Sequence, residues 1–160
     1  MVTRRLQAGF TATEILVVLG IVGILAAIAV PSLSQMIQQQ SVRSASYDLN
    51  ADLVFARSEA ISRATSVTIT GNATTDFSQG WVITEAAGGT TIRTQGKRNE
   101  NIRFTANAGV YTFDKTGRVT VGAPAQWFIT PVTTTVQTYM QRCVKLDPSG
   151  RPRTAEGVCT

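Results

Sequence analysis

The chain has 160 residues, enough for one soluble domain beside a membrane anchor. It carries 15 Lys and Arg against 10 Asp and Glu, a net charge of +5, and no histidine. Histidine-based acid–base catalysis and histidine metal ligation are thereby excluded, and the basic excess points only weakly to anionic partners.

Residues 1–9 read as a processing leader and are set aside from fold reasoning. They are shorter and more polar than a secretory signal peptide and contain Arg4 and Arg5. Within residues 10–30 the only charged side chain is Glu14. About 20 apolar residues in a helix cross the ~30 Å hydrocarbon core of a bilayer, so this segment reads as a membrane-spanning assembly helix. The Arg pair marks the side that stays inside, which puts everything after Pro31 outside. A carboxylate in such a segment costs roughly 2.5–3.5 kcal/mol and calls for a partner. A cut after Gly9 would free the ammonium of Phe10, of the same chain or of a neighbour, to meet Glu14. It would also place Glu14 in the first helical turn, where the helix dipole favours an anion. An ordinary signal anchor with a stray Glu near the interface is the alternative reading.

Residues 31–64 continue the helix in amphipathic form. Leu33, Met36, Ile37, Val42, Tyr47, Leu49, Leu53, Ala56, Ala60 and Ile61 recur at helical spacing. Pro31 removes a donor and crowds the preceding turn, so loosening is expected there. The helix should end near Ala64. Beyond it, residues 65–160 read as a β-rich head. Short β-branched and aromatic runs cover residues 67–70, 81–84, 91–94, 102–105, 110–113, 118–121, 127–130 and 139–145. Gly71-Asn72 and Gly88-Gly89 read as turns, and Thr133-Thr134-Thr135 as a loop or exposed strand. The Trp and Phe side chains are expected in the core. No internal repeat is found.

The two cysteines, Cys143 and Cys159, belong to the exported part, where the simplest arrangement is a disulfide. Two free thiols are the alternative. Between them, Pro148-Ser149-Gly150 is turn chemistry that presents Arg151 and Arg153 on either side of Pro152. A restrained loop loses less entropy on binding, and guanidinium forks suit phosphate oxygens. Arg142 and Lys145 are near in sequence, with Asp147 and Glu156 partly opposing. A solvated basic turn, or arginines that dock on a neighbouring subunit, is the competing reading.

Gly9-Phe10-Thr11-Ala12-Thr13-Glu14 ahead of an apolar helix resembles the class III leader of type IV pilins and type II secretion pseudopilins. The resemblance implies cleavage after Gly9 by a prepilin peptidase, N-methylation of Phe10 and an assembly role for Glu14. The usual Thr-Leu-Ile-Glu stands here as Thr11-Ala12-Thr13-Glu14. It also implies an α+β, pilin-like fold: a long N-terminal helix, its first half membrane-spanning, packed on a C-terminal antiparallel sheet. Residues 52–61, with Leu53 and Ala56-Arg57-Ser58-Glu59-Ala60, are similar to a pattern of GspH/FimT-type minor pilins and pseudopilins. Arg57 and Glu59 are too close in sequence to share a helix face, so they should not pair; a tie from either to the head stays open. Gly150-Arg151-Pro152-Arg153 looks like the Gly-Arg-x-Arg motif of FimT-type minor pilins, which is implicated there in DNA binding for natural transformation.

The expected function is therefore a minor pilin that binds extracellular DNA non-specifically through Arg151 and Arg153, assisted by Lys145 or Arg142. The rivals are a structural minor pilin that primes or caps the pilus, and a secretion pseudopilin. Other pilins, the peptidase and the bacterial inner membrane are the further partners, with the head facing the periplasm and then the cell surface in the fibre. No phosphate-binding Gly loop, His triad or metal spacing is present, so neither an enzyme nor a cofactor is expected.

Overall fold

The computed structural model describes residues 10–86, 89–97, 100–133 and 136–159. The expected leader with Arg4, Arg5 and Gly9, and the expected turn and loop residues Gly88, Thr134 and Thr135, lie outside them. The chain divides into two units between Ile37 and Gln38. Helix α1 spans Ala12–Ser62, and Pro31 lies inside it.

In the first unit, α1 opens with a reciprocal cap. The Thr11 amide and hydroxyl donate to Glu14 Oε2 at 2.8 and 3.0 Å, and the Glu14 amide donates to Thr11 Oγ1 at 3.2 Å. This is the capping box of a Thr followed three residues later by a Glu. Beyond it Leu16, Leu19, Ile24, Leu25 and Ile28 are all exposed. A helix apolar all round needs an apolar solvent or neighbours.

In the second unit, residues 38–62 of α1 bury one stripe. Val42, Ala45, Ser46, Leu49, Asp52, Leu53, Ala56 and Ala60 are covered, at steps of three and four. Tyr47 and Ile61, expected on this stripe, are about half exposed. The stripe faces a nine-stranded antiparallel sheet. Its strands are β1 Val67–Ala73, β2 Asp76–Glu85, β3 Thr91–Gln95, β4 Ile102–Ala106, β5 Val110–Phe113, β6 Val119–Val121, β7 Ala125–Pro131, β8 Arg142–Leu146 and β9 Pro152–Glu156. The order is β6-β5-β1-β2-β4-β7-β8-β9, and β3 also pairs with β2. Strict in–out alternation in β4 and β7 sends Phe104, Trp127 and Ile129 to the core. They join Trp81, Tyr111, Phe77 and Phe113, all without solvent contact. Burying a large side chain of this kind contributes ~1.5–3 kcal/mol.

Three local expectations change. Gly71-Asn72 is strand, not turn: β1 continues to Ala73, and the reversal comes at Thr74, whose φ is +45°. The run 139–145 divides into a 3-10 turn at Thr138–Met140 and β8. The segment expected as a disulfide-closed loop is a β-hairpin. Five cross-strand pairs, from Arg142↔Glu156 to Leu146↔Pro152, hold it. The disulfide joins Cys143 on β8 to Cys159 beyond β9, with Cα atoms 5.2 Å apart. Closing a loop of this size removes about 3 kcal/mol of unfolded-state entropy in the chain model.

Candidate nucleic-acid interface

The β8–β9 hairpin sorts its charged side chains by parity. Val144 and Leu146 point into the core, so Arg142 leaves on their face and Lys145 on the other. Lys145 lies directly opposite Arg153 in the register. These two side chains therefore share the face of the sheet turned away from α1. Arg153 is well exposed, and its Nε lies 3.3 Å from Asp147 Oδ2. An exposed pair of this kind contributes little and is screened by salt. Arg151 is exposed in the turn, without an ion-pair partner among the described residues.

Arg142 is placed differently. Its Nη2 lies 3.2 Å from Glu156 Oε2, and its side chain is only 16% exposed. It belongs to the helix side of the hairpin, near Tyr47. There the Tyr47 phenol is held below its ordinary range, first by the hydrogen bond from Arg43 and more weakly by the charge of Arg142. The structure thus brings together Arg153 and Lys145, with Arg151 at the tip, and sends Arg142 to the opposite face.

The turn rests on a support assembled from three elements. Gly150 has φ +75°, a left-handed conformation that glycine adopts without steric cost. A Cβ there would collide with the carbonyl oxygen of Gly117. That same carbonyl accepts a 3.0 Å hydrogen bond from Arg57 Nε. The Val119 amide donates to the Pro148 carbonyl at 3.0 Å, and Asn50 Nδ2 donates to Thr154 Oγ1 at 3.1 Å. Arg57 therefore supplies the tie from the helix that the sequence left open, and Glu59 turns to Arg63 at 2.7 Å. Gly117 and Asn50 carry no sequence signal of their own; only the fold brings them under the turn.

A long N-terminal helix, apolar at its start and packed by its later half on an antiparallel sheet, defines a pilin-type subunit. The sequence profile of the family described as type II transport protein GspH matches residues 45–150, well over half of the chain. The chain belongs to this family of minor pilins and pseudopilins, structural subunits that assemble with other pilins in a fibre.

Solved structures of a minor pilin and of a minor pseudopilin share the fold. The type IV minor pilin FimU of Pseudomonas aeruginosa is 23% identical, with a TM-score of 0.60 over 75% of this chain and 92% of that one. The minor pseudopilin EpsH of the Vibrio cholerae type II secretion system is 12% identical, with a TM-score of 0.58 over 76% and 98%. No curated relative matches the chain. The apolar helix fits membrane anchoring of a pilin.

Proposed function

We propose that this subunit is a DNA-capturing minor pilin of a type IV pilus, serving uptake in natural transformation. The observation that carries the reading is the hairpin tip: Arg151 is exposed without an ion-pair partner among the described residues, and Arg153 and Lys145 share one solvent face beside it. Cations displayed this way contact phosphates and position a backbone without reading its sequence. Arg142, engaged with Glu156 on the other face, contributes to the hairpin and not to the contact. A few such contacts give weak, salt-sensitive binding, which several copies in a fibre strengthen by avidity.

The test is the affinity of the detergent-solubilised full chain for a labelled DNA duplex, measured across a salt series. Arg151→Ala/Arg153→Ala should weaken binding several-fold and flatten the salt dependence. Equal affinity of the two forms overturns the reading. It would leave the structural minor pilin or the secretion pseudopilin, which the family profile and the likeness to EpsH equally accommodate.

The same proposal includes cleavage between Gly9 and Phe10, methylation of Phe10 and an assembly role for Glu14. Thr11 stays in the cleaved chain, so the cap it shares with Glu14 is retained. Mass spectrometry of the protein from its host reads the first residue and the methyl group, and a start other than Phe10 overturns this part.

A further inference from the structure

The turn that presents Arg151 has a twin. Residues 114–118 are Asp114-Lys115-Thr116-Gly117-Arg118, and residues 147–151 are Asp147-Pro148-Ser149-Gly150-Arg151. Both follow the pattern Asp-x-x-Gly-Arg, and both sit between the last pair of one antiparallel ladder: Phe113↔Val119 in one, Leu146↔Pro152 in the other. Their backbone bonds coincide. Gly117 N–H donates to the Asp114 carbonyl at 2.8 Å, and Gly150 N–H donates to the Asp147 carbonyl at 2.8 Å. Asp114 N–H donates to the Arg118 carbonyl at 2.9 Å, and Asp147 N–H donates to the Arg151 carbonyl at 3.2 Å. The two glycines have φ +76° and +75°. No repeat was expected from the sequence, because three shared residues in five are too few to stand out.

The twins also touch. The Gly150 backbone sits against the Gly117 carbonyl, and the first residue of β6 bonds to Pro148 of the other turn. Each arginine is the residue just before a strand whose first side chain points inward: Val119 is buried and Pro152 half-buried. Alternation therefore directs Arg118 outward as it directs Arg151. Arg118 and Lys115 are both exposed, with no ion pair among the described residues. The acid of this turn is already engaged. Asp114 Oδ1 accepts the Thr116 hydroxyl at 2.6 Å and the amides of Thr116 and Arg118. It caps its own turn and forms no ion pair with Arg118, whose charge acts on it only weakly.

We infer that the β5–β6 turn is the second half of the nucleic-acid contact, with Arg118 as the counterpart of Arg151 and Lys115 as its neighbour. The inference rests on the reading of Arg151 and Arg153 as phosphate contacts. The bound chemistry is a polyphosphate backbone laid across two adjoining tips, which a single hairpin would hold at only one point. Gly117, Gly150 and Arg57 are positioning residues: they fix the spacing of the two tips and touch no ligand.

The experiment compares the detergent-solubilised full chain with Lys115→Gln/Arg118→Gln, Arg118→Lys and Arg151→Ala/Arg153→Ala, using a labelled DNA duplex of mixed sequence. Lys115→Gln/Arg118→Gln should weaken binding about fivefold and reduce the slope of log affinity against log salt by ~0.9 for each phosphate no longer neutralised. Arg118→Lys keeps the charge and should keep the slope. Unchanged thermal unfolding of all the variants separates the removal of a cation from damage to the fold. If Arg151→Ala/Arg153→Ala weakens binding and Lys115→Gln/Arg118→Gln does not, the second half of the interface is overturned while the first stands. If only Lys115→Gln/Arg118→Gln weakens it, the reading of Arg151 and Arg153 is overturned. If neither does, both fall.

Discussion

The carboxylate of Asp52, on the buried stripe of α1, accepts the indole N–H of Trp81 at 2.9 Å. Its other oxygen accepts Arg93 Nη1 at 2.8 Å, and the Arg93 guanidinium lies 3.8 Å from the centre of the Phe55 ring. Helix, β2 and β3 are thus joined at one anion that is 5% exposed. Arg93 is 46% exposed, so solvent weakens its share, and the indole bond carries more. Asp52→Ala leaves that indole without this acceptor. It should lower unfolding free energy by about 3 kcal/mol, since a hydrogen bond to a charged group is worth ~1.5–3 kcal/mol. Asp52→Asn keeps an acceptor for Trp81 and should cost about 1 kcal/mol. Denaturant unfolding followed by tryptophan fluorescence reads both, because Trp81 and Trp127 lie in the core.

The buried carboxylate shows where the sequence is legible and where it is not. Apolar spacing locates α1, and β-branched alternation locates most strands, because both patterns follow directly from which side of an element is covered. Such patterns are blind to a polar residue that is covered, so Asp52 and Ser46 drop out, and Tyr47 and Ile61, just off the stripe, are drawn in. Gly71 looks like a turn because glycine usually is one. Here it makes room for the Phe77 ring, 2.8 Å from where a Cβ would stand. Strand β9 is hidden because Pro152, Arg153, Thr154 and Glu156 show no apolar alternation; it is an edge strand, where a proline and charges are tolerated. Of the proposed interface, Arg151 and Arg153 are legible from the turn chemistry around them. That Lys145 joins them and Arg142 does not depends on strand parity, which a loop assignment erases.

Gly150 couples the presentation of the arginines to the stability of the head. Alanine at φ +75° costs ~1–2 kcal/mol for the left-handed backbone alone. The collision with the Gly117 carbonyl adds to that, because the neighbour is backbone held by Arg57 and not a flexible side-chain end. Gly150→Ala should therefore destabilise the head by about 2 kcal/mol or more, and weaken DNA binding although every cation remains. Gly96→Ala is the matched control: nothing lies within 4 Å of its added carbon, and its backbone is not left-handed. It should leave both properties unchanged. Thermal unfolding and the duplex-binding assay on the two variants decide the point. Reduced stability with undiminished binding would show that the two tips do not need their fixed spacing.

Tyr111 should give the head an alkaline transition. Its ring is fully buried against Trp127, with centroids 4.4 Å apart. Its hydroxyl donates to Asn107 Oδ1 and accepts the Ala108 amide, both at 3.0 Å. Burial disfavours the phenolate and pushes the phenol from its ordinary 10.0 up to about 12, while the Ala108 amide pulls weakly the other way. In the unfolded chain the phenol gives up its proton near pH 10; in the folded head it keeps it until about 12. Between those values the folded state binds more protons, so stability falls as pH rises. Below pH 10 both states are protonated and this contribution is constant. Unfolding free energy measured from pH 8 to 12 should therefore decline above about 10, and the decline should be shallower in Tyr111→Phe. The variant should itself be less stable at neutral pH by ~1 kcal/mol, because the Ala108 amide loses its acceptor. Identical alkaline slopes in the two proteins would mean that another group governs the transition.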